Sequence, residues 1–181
     1  TIPAALAGLL VDIDAVSRLV VDAAKTELVP RFERAAQLEV FSKDSAENPG
    51  DFCTEADLAA ERRLRDGLMA LLPSAVFLGE EEASADPTRL TLLDADDPVW
   101  IADPLDGTRN FAAGLPTWGV MVALVQGRAT RAAWIYLPLE PALFVAEHGG
   151  GAWLGGTRLP TPEAAPATFG GTTYTRFMPP E

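Results

Sequence analysis

Apolar side chains recur at steps of three and four residues through the first part of the chain, from Leu6 to Leu28. This spacing places them along one face of a helix. We therefore predict a long helix over residues 4–39, with a break or kink near Pro30, because proline cannot donate a backbone hydrogen bond.

The second predicted helix follows a polar loop at residues 42–52, which contains turn-forming residues. The helix begins near Thr54, whose hydroxyl can cap the first turn, with Asp57 three residues later in the position of a capping box. It runs to Leu72 and stops at Pro73.

Beyond this helix the pattern changes to short apolar runs separated by turn residues, which is typical of strands. The predicted strands are Val76–Leu78, Val99–Ala102, Val120–Val125, Thr130–Tyr136 and Leu143–Ala146. Gln126-Gly127 predicts a tight hairpin. The glycines at 149–151 and 155–156 match no phosphate-binding motif, so we interpret them as turns around a further short strand.

Composition and charge restrict the possible partners. The chain has 181 residues and a net charge of −12, and it is 48% hydrophobic and 22% charged, as in an ordinary globular protein. The negative charge argues against nucleic acid or an anionic membrane surface as a partner. No apolar run approaches the roughly 20 residues that span a bilayer.

A cytoplasmic location is our expectation for this protein. Cys53 is the only cysteine, so no intrachain disulfide can form, and reduced thiols are typical of the cytoplasm. The chain shows no signal-peptide pattern, although it begins at Thr1, so a missing start with a leader stays open. We interpret Cys53 as a packing residue and the single histidine, His148, as a loop residue.

The acids are concentrated in residues 51–106, which contain 14 acids and four bases. They form three groups: Asp51/Glu55/Asp57, Glu80/Glu81/Glu82 and Asp103/Asp106. Glu80 and Asp103 each follow an apolar strand, and we expect Pro104 to end its strand and turn the chain so that Asp103 and Asp106 converge. Oxygen-only ligands suit hard cations, Mg²⁺ first, with Ca²⁺ or Mn²⁺ as alternatives.

Three segments in this order resemble the motifs of the inositol monophosphatase family, a group of Mg²⁺-dependent, lithium-sensitive sugar phosphatases. The segments are Asp51-Phe-Cys-Thr-Glu-Ala-Asp57, Gly79-Glu80-Glu81 and Trp100-Ile-Ala-Asp-Pro-Leu-Asp-Gly-Thr-Arg-Asn-Phe111. The resemblance covers residues 4–160, the family's amino-terminal domain. It implies an α+β layered sandwich in which two long helices pack on an antiparallel sheet.

The resemblance also implies a role for each matching residue. The expected ligands of two or three Mg²⁺ ions are Glu80, Asp103, the carbonyl of Leu105, Asp106 and Asp57. Thr108 and Asp57 would orient the attacking water, with Glu81 supporting them, and the backbone N–H groups of Gly107 and Thr108 would meet the phosphate. Lys43 is a candidate for a lysine that the family often turns toward the metals, but the loop length differs, so Lys43 stays outside the predicted site.

The implied activity is hydrolysis of a small polyol or sugar phosphate, similar to inositol 1-phosphate, by metal-activated water, in a possible homodimer. The family's carboxy-terminal domain supplies a further aspartate and most substrate contacts, and its Trp-Asp-x-Ala-Ala-Gly motif does not occur in these residues. We therefore expect residues 1–160 to form the metal-binding domain and residues 161–181 to be a linker or the start of a second domain. Without that domain, metal binding and turnover should be weak.

Three alternatives stay open. The segment Gly114–Gly119 is similar to histidinol-phosphate phosphatases of the same superfamily, whereas Asn110-Phe111 favours the inositol-phosphate branch. A second phosphatase class, the haloacid-dehalogenase type, has a nucleophile motif that resembles Leu92-Leu-Asp94-Ala-Asp96. The lysine that this class has downstream of the motif does not occur in these residues. The last alternative is a non-catalytic metal-binding fragment or scaffold.

Overall fold

A computed structural model of the protein describes residues 11–43 and 51–160. The helices are α1 (Ile13–Ala23), α2 (Val29–Phe32), α3 (Glu55–Leu71), α4 (Glu80–Ala85) and α5 (Thr108–Ala112). The strands are β1 (Val40–Ser42), β2 (Phe52–Thr54), β3 (Val76–Gly79), β4 (Val99–Asp106), β5 (Gly119–Gln126), β6 (Ala129–Leu137), β7 (Ala142–Glu147), β8 (Gly151–Leu154) and β9 (Thr157–Arg158). The α+β class is confirmed: helices pack on a sheet in two layers.

The first helix is shorter than predicted and changes its geometry before it ends. It begins at Ile13, capped by the Asp12 side chain, and residues 4–10 of the prediction lie outside the described residues. A π-helical turn, Ala24–Leu28, joins α1 to α2, which carries Pro30 in its first turn and ends at Phe32. The predicted continuation to residue 39 is wrong, because the chain then forms a short 3₁₀ turn and enters β1.

The second helix is confirmed with its predicted cap. Thr54 and Asp57 form a reciprocal capping box at the start of α3, and Leu72 closes the helix before Pro73. The helices α1 and α3 pack together around Val20 and Leu64, both fully buried.

The main sheet has seven strands in the order β3-β4-β5-β6-β7-β8-β9. Every neighbouring pair is antiparallel except β3 and β4, which run parallel with Val76 opposite Val99. One face of the sheet buries Trp100 and Trp134, whose rings lie 6.0 Å apart, against the helices. On strand β6, Ile135 points to the opposite face and stays 42% exposed.

Strand β4 is longer than predicted and continues through Pro104 to Asp106. Its pairing with β5 shifts register between Asp103 and Asp106, and a register irregularity of this kind is a place where a strand tolerates proline. The prediction that Pro104 ends the strand is therefore wrong.

The predicted hairpins are confirmed. Gly127 and Arg128 join β5 to β6, and both have positive φ angles, 58° and 59°, as a two-residue hairpin turn requires. The glycines at 149–150 and 155–156 lie in the turns that flank β8, which begins at Gly151. His148 is exposed at the end of β7, as expected for a loop residue. In residues 11–43 and 51–160 no helix combines the length and the apolar character that crossing a membrane requires.

The buried hydrogen bond between Trp134 and Ser17 yields a stability prediction. The indole Nε1 donates to Ser17 Oγ at 3.0 Å, and Ser17 Oγ donates to the Ile13 carbonyl at 2.8 Å. Ser17→Ala leaves the buried indole N–H without its acceptor, so we expect a loss of about 1–3 kcal/mol in the free energy of unfolding. Urea unfolding followed by tryptophan fluorescence measures this loss. The exposed Thr91→Ala variant serves as control and should stay within about 0.5 kcal/mol of the parent chain.

Candidate functional site

The three acidic motifs meet where β3 ends beside β4. In the parallel pair, Gly79, the last residue of β3, lies opposite Ala102, so the next residues along the two chains, Glu80 at the start of α4 and Asp103 within β4, lie side by side. Burial raises the pKa of Asp103, and its carboxyl lies close enough to Glu80 and Asp106 for their negative charges to raise it further. The predicted convergence of these acids is therefore present in the structure.

Asp57 reaches the same region from the first turn of α3 and is fully buried. Its Oδ2 accepts hydrogen bonds from the backbone N–H and the hydroxyl of Thr54, at 2.7 and 2.6 Å. Its Oδ1 lies 3.0 Å from the Thr108 hydroxyl. Burial raises the pKa of Asp57, while the hydrogen bonds from Thr54 and Thr108 oppose the rise.

Thr108 connects the first acidic motif to the third. Its hydroxyl lies 3.0 Å from Asp57 Oδ1 and 3.0 Å from the Leu105 carbonyl oxygen, and its one hydrogen can be donated to either acceptor. The Leu105 backbone N–H in turn donates to Asp103 Oδ1 at 3.1 Å. This network fixes the chain between Asp103 and Thr108.

Gly107 is required at the turn between β4 and α5. Its φ angle is 90°, in the left-handed region, and a Cβ there would lie 2.9 Å from the Thr117 carbonyl oxygen. The glycine therefore lets the chain turn directly into α5, which begins at Thr108. Beside this turn opens a cleft of about 570 Å³, lined in part by Asp106, Asn110 and Trp118.

Negative charge accumulates around Asp103. Burial raises the pKa of its carboxyl to about 8, and the neighbouring charges of Glu80 and Asp106 add to the rise. In the part of the chain that the structure describes, no group of three or more His, Cys, Asp and Glu side chains is already arranged as a metal site. The donors are nevertheless all oxygens in a crowded acidic region, which is the chemistry that suits a hard divalent cation.

Lys43 supplies a cation that the sequence prediction left out of the site. Its Nζ lies 2.9 Å from Glu80 Oε1 and 3.1 Å from Glu81 Oε1. Burial lowers the pKa of Lys43, but the hydrogen bonds and charges of the two glutamates outweigh it and raise the pKa above the ordinary value. The sequence feature that could have identified Lys43 is the resemblance to the inositol monophosphatase family, in which a lysine of this loop often faces the metals.

Glu61 on α3 is a second residue of this region that the sequence prediction missed. Its carboxylate accepts hydrogen bonds from the backbone N–H groups of Glu81 at 2.8 Å and Glu82 at 3.2 Å. Burial raises the pKa of Glu61 to about 7, with the charges of Glu81 and Glu82 adding to the rise. Glu61 lies on the apolar face of α3, and no local motif marks it.

Cys53 is buried, with 5% of its surface exposed, as expected for a packing residue. Burial and the charge of Glu81 raise the pKa of its thiol to about 12, so the reactive thiolate is scarce at neutral pH. Cys53 is therefore a packing residue rather than a nucleophile.

The haloacid-dehalogenase alternative lacks the structural context that it needs. That motif places its aspartate directly after a strand, whereas Leu92 and Asp94 lie in a 3₁₀ helix, Pro87–Asp94. Asp94 is exposed and forms an ion pair with Arg128 at 2.7 Å.

Similar proteins of known sequence agree with the motif resemblance. The chain is 40% identical over 115 residues to the inositol-1-monophosphatase of Rhizobium meliloti (strain 1021), which covers 64% of this chain and 41% of that protein. It is 38% identical over 123 residues to the histidinol-phosphatase of Chlorobaculum parvum, with 66% and 42% covered. The chain therefore spans less than half the length of these curated relatives.

Solved structures agree with the fold. The extragenic suppressor protein suhB from Bartonella henselae superimposes with a TM-score of 0.67 and 28% identity, over 84% of this chain and 55% of that one. The Thermotoga maritima IMPase gives a TM-score of 0.68 and 26% identity, over 83% and 54%. The model of the inositol monophosphatase family matches residues 11–176, so the chain belongs to that family.

Proposed function

We propose that the chain carries the metal-binding part of a Mg²⁺-dependent phosphatase that hydrolyses a small phosphorylated polyol or sugar, such as inositol 1-phosphate. The observation that carries the proposal is the meeting of three acidic motifs at one edge of the sheet. Glu80 and Asp103 lie side by side there, and the Thr108 hydroxyl, 3.0 Å from Asp57 Oδ1, connects Asp57 to the third motif.

The donor set fits Mg²⁺ in chemistry and charge. Glu80, Asp103, Asp106, Asp57 and the Leu105 carbonyl oxygen are the groups that would hold two or three ions. Bound Mg²⁺ would neutralise the clustered carboxylates, acidify a water and stabilise the charge that develops on the phosphate. The raised pKa of Asp103 supports this assignment, because crowded carboxylates of this kind favour a nearby cation.

Thr108 and Asp57 would orient the attacking water. With the Thr108 hydrogen directed to Asp57 Oδ1 or to the Leu105 carbonyl, the Thr108 oxygen keeps lone pairs that can accept a hydrogen bond from water. Because Asp57 is fully buried and held by Thr54, it presents a fixed acceptor to Thr108. This fixed geometry supports a water-positioning role for the pair.

The remaining residues would handle charge and the phosphate. Glu81 binds Lys43, which also binds Glu80, so an ammonium group balances part of the acidic charge. Gly107 and Thr108 line the cleft, and their backbone N–H groups are the donors that we assign to a phosphate oxygen there. The size of this cleft, about 570 Å³, suits a small phosphate ester.

Two classes of substrate, polyol phosphates and amino-alcohol phosphates, have to be distinguished by experiment. Relatives named inositol-1-monophosphatase and histidinol-phosphatase match this chain at 40% and 38% identity, so both substrates belong in the test. The measurement is phosphate release by the full chain from inositol 1-phosphate and from histidinol phosphate, with and without Mg²⁺. Binding of Mn²⁺ without phosphate release from any small ester would favour the non-catalytic metal-binding alternative.

Asp103 lies at the centre of the proposed metal site. Asp103→Asn keeps the shape of the side chain but replaces one carboxylate oxygen with an amide NH₂ group, which cannot bind a cation. We expect Mg²⁺-dependent phosphate release to fall by about a hundredfold or more, with the unfolding midpoint in urea nearly unchanged. The control is Asp96→Asn, an exposed change in the segment that imitates the haloacid-dehalogenase motif. Full activity of Asp103→Asn would contradict the assignment, and lost activity of Asp96→Asn would revive that alternative.

The Thr108 hydroxyl lies between Asp57 Oδ1 and the Leu105 carbonyl oxygen. Thr108→Ala removes this hydroxyl, and we expect kcat to fall by about a hundredfold because the water loses its orientation. Thr108→Ser restores the hydroxyl and should recover most of kcat. Steady-state kinetics of the two variants measure this difference. Equal rates for the alanine and serine variants would exclude a role for the hydroxyl.

A further inference from the structure

The short helix α4 begins without a side chain of its own to cap it. Its first residues are Glu80, Glu81 and Glu82, and the preceding residue, Gly79, has no side chain that could accept from their N–H groups. A helix start without such acceptors leaves several backbone N–H groups unsatisfied. At this position the missing acceptor comes from another helix.

Glu61 supplies that acceptor from α3. One carboxylate oxygen accepts from the N–H of Glu81 at 2.8 Å and the other from the N–H of Glu82 at 3.2 Å. Glu61 is 3% exposed, and no ion pair reaches it within residues 11–43 and 51–160. Burying a carboxylate beside two other glutamates is costly, and the two backbone hydrogen bonds are the interactions that offset this cost.

Gly79 gives Glu61 the room to approach. A Cβ on Gly79 would overlap the carboxyl carbon and one carboxylate oxygen of Glu61. The glycine at the helix start and the glutamate on α3 therefore depend on each other. A side chain at position 79 would push the carboxylate away from the N–H groups that it caps.

The neighbouring Arg65 reinforces the same contact. Arg65 lies four residues after Glu61, on the same face of α3, and its guanidinium lies 2.7 Å from Glu82 Oε1. Arg89 holds the other oxygen of Glu82 at 2.9 Å. Helix α3 therefore contacts α4 at two points. Glu61 binds the backbone N–H groups of α4, and Arg65 binds the Glu82 side chain.

We propose that Glu61 is a positioning residue of the proposed metal site: by capping α4 it fixes the direction in which Glu80 and Glu81 leave the sheet. This inference rests on the proposed function. Glu80 and Glu81 both point to Lys43, at 2.9 and 3.1 Å, and Glu80 also meets Asp103. A loss of the cap releases the first turn of α4 and with it the glutamate that the proposal assigns to the metal.

Glu61→Gln tests the inference because it keeps the size of the side chain and one acceptor oxygen. We expect the dissociation constant for Mn²⁺, measured on the full chain by the electron paramagnetic resonance of free Mn²⁺, to rise about tenfold. Amide hydrogen exchange at Glu81 and Glu82 should accelerate, while exchange in the middle of α3 stays as in the parent chain. The matched control is Glu140→Gln, an exposed change in the turn between β6 and β7, which should leave Mn²⁺ binding unchanged.

A second variant covers the case in which Glu61→Gln does not fold. Gly79→Ala acts on the same contact from the other side, because the new methyl group displaces the Glu61 carboxylate. It should also raise the dissociation constant for Mn²⁺ about tenfold. The double variant should be no weaker than the more affected single variant, because both changes break one contact.

The outcomes separate the two proposals. If the parent chain binds Mn²⁺ and the folded Glu61→Gln or Gly79→Ala variant binds it equally well, Glu61 has no positioning role and the proposed function stands. A changed unfolding midpoint with unchanged Mn²⁺ affinity also overturns the inference, because it marks a merely structural contact. If the parent chain binds no Mn²⁺, the proposed function fails, and the positioning role fails with it.

Discussion

The parallel pairing of β3 with β4 is the constraint on which the acidic site depends. It places Gly79, where β3 ends, beside Ala102, so Glu80 at the start of α4 lies next to Asp103 in β4. An antiparallel pairing of these two strands would send those residues to opposite edges of the sheet. The rest of the sheet is an antiparallel meander, so this one parallel pair determines where the charge collects.

Concentrated negative charge needs compensation, and the described residues provide only part of it. Lys43 bridges Glu80 and Glu81, but Asp103 lies beside the acids Glu80 and Asp106, and burial together with those acids raises its pKa to about 8. Residues 51–106 contain 14 acids and four bases. A formal charge of −12 therefore reflects one acidic region more than an evenly acidic surface, and a divalent cation is the natural counter-charge for such a region.

Local signals in the sequence predicted the parts of the structure that depend on neighbours in the chain. The capping box of Thr54 and Asp57 spans four residues, and the hairpin at Gly127 needs only two residues with positive φ angles. The three acidic motifs could be recognised because each is a short run of neighbouring residues in the chain.

Other features depend on contacts that no short segment reveals. Lys43 meets Glu80 from 37 residues away, and Glu61 meets Glu81 from 20 residues away. Pro104 stays within β4 because the pairing with β5 shifts there, which overrides the usual effect of proline. The helix expected to run to residue 39 ends at Phe32 after the π-helical turn. The spacing of apolar residues along the sequence does not predict this end.

Helix capping and the acidic site are two results of the same hydrogen bonds. Asp57 caps α3 through Thr54 and presents its other oxygen to Thr108, while Glu61 caps α4 and holds the backbone that carries Glu80 and Glu81. Each carboxylate lies in the core because backbone N–H groups at a helix start need acceptors there. A loss of either cap therefore changes stability and site geometry together, and only a measurement of cation affinity on the folded chain separates the two effects.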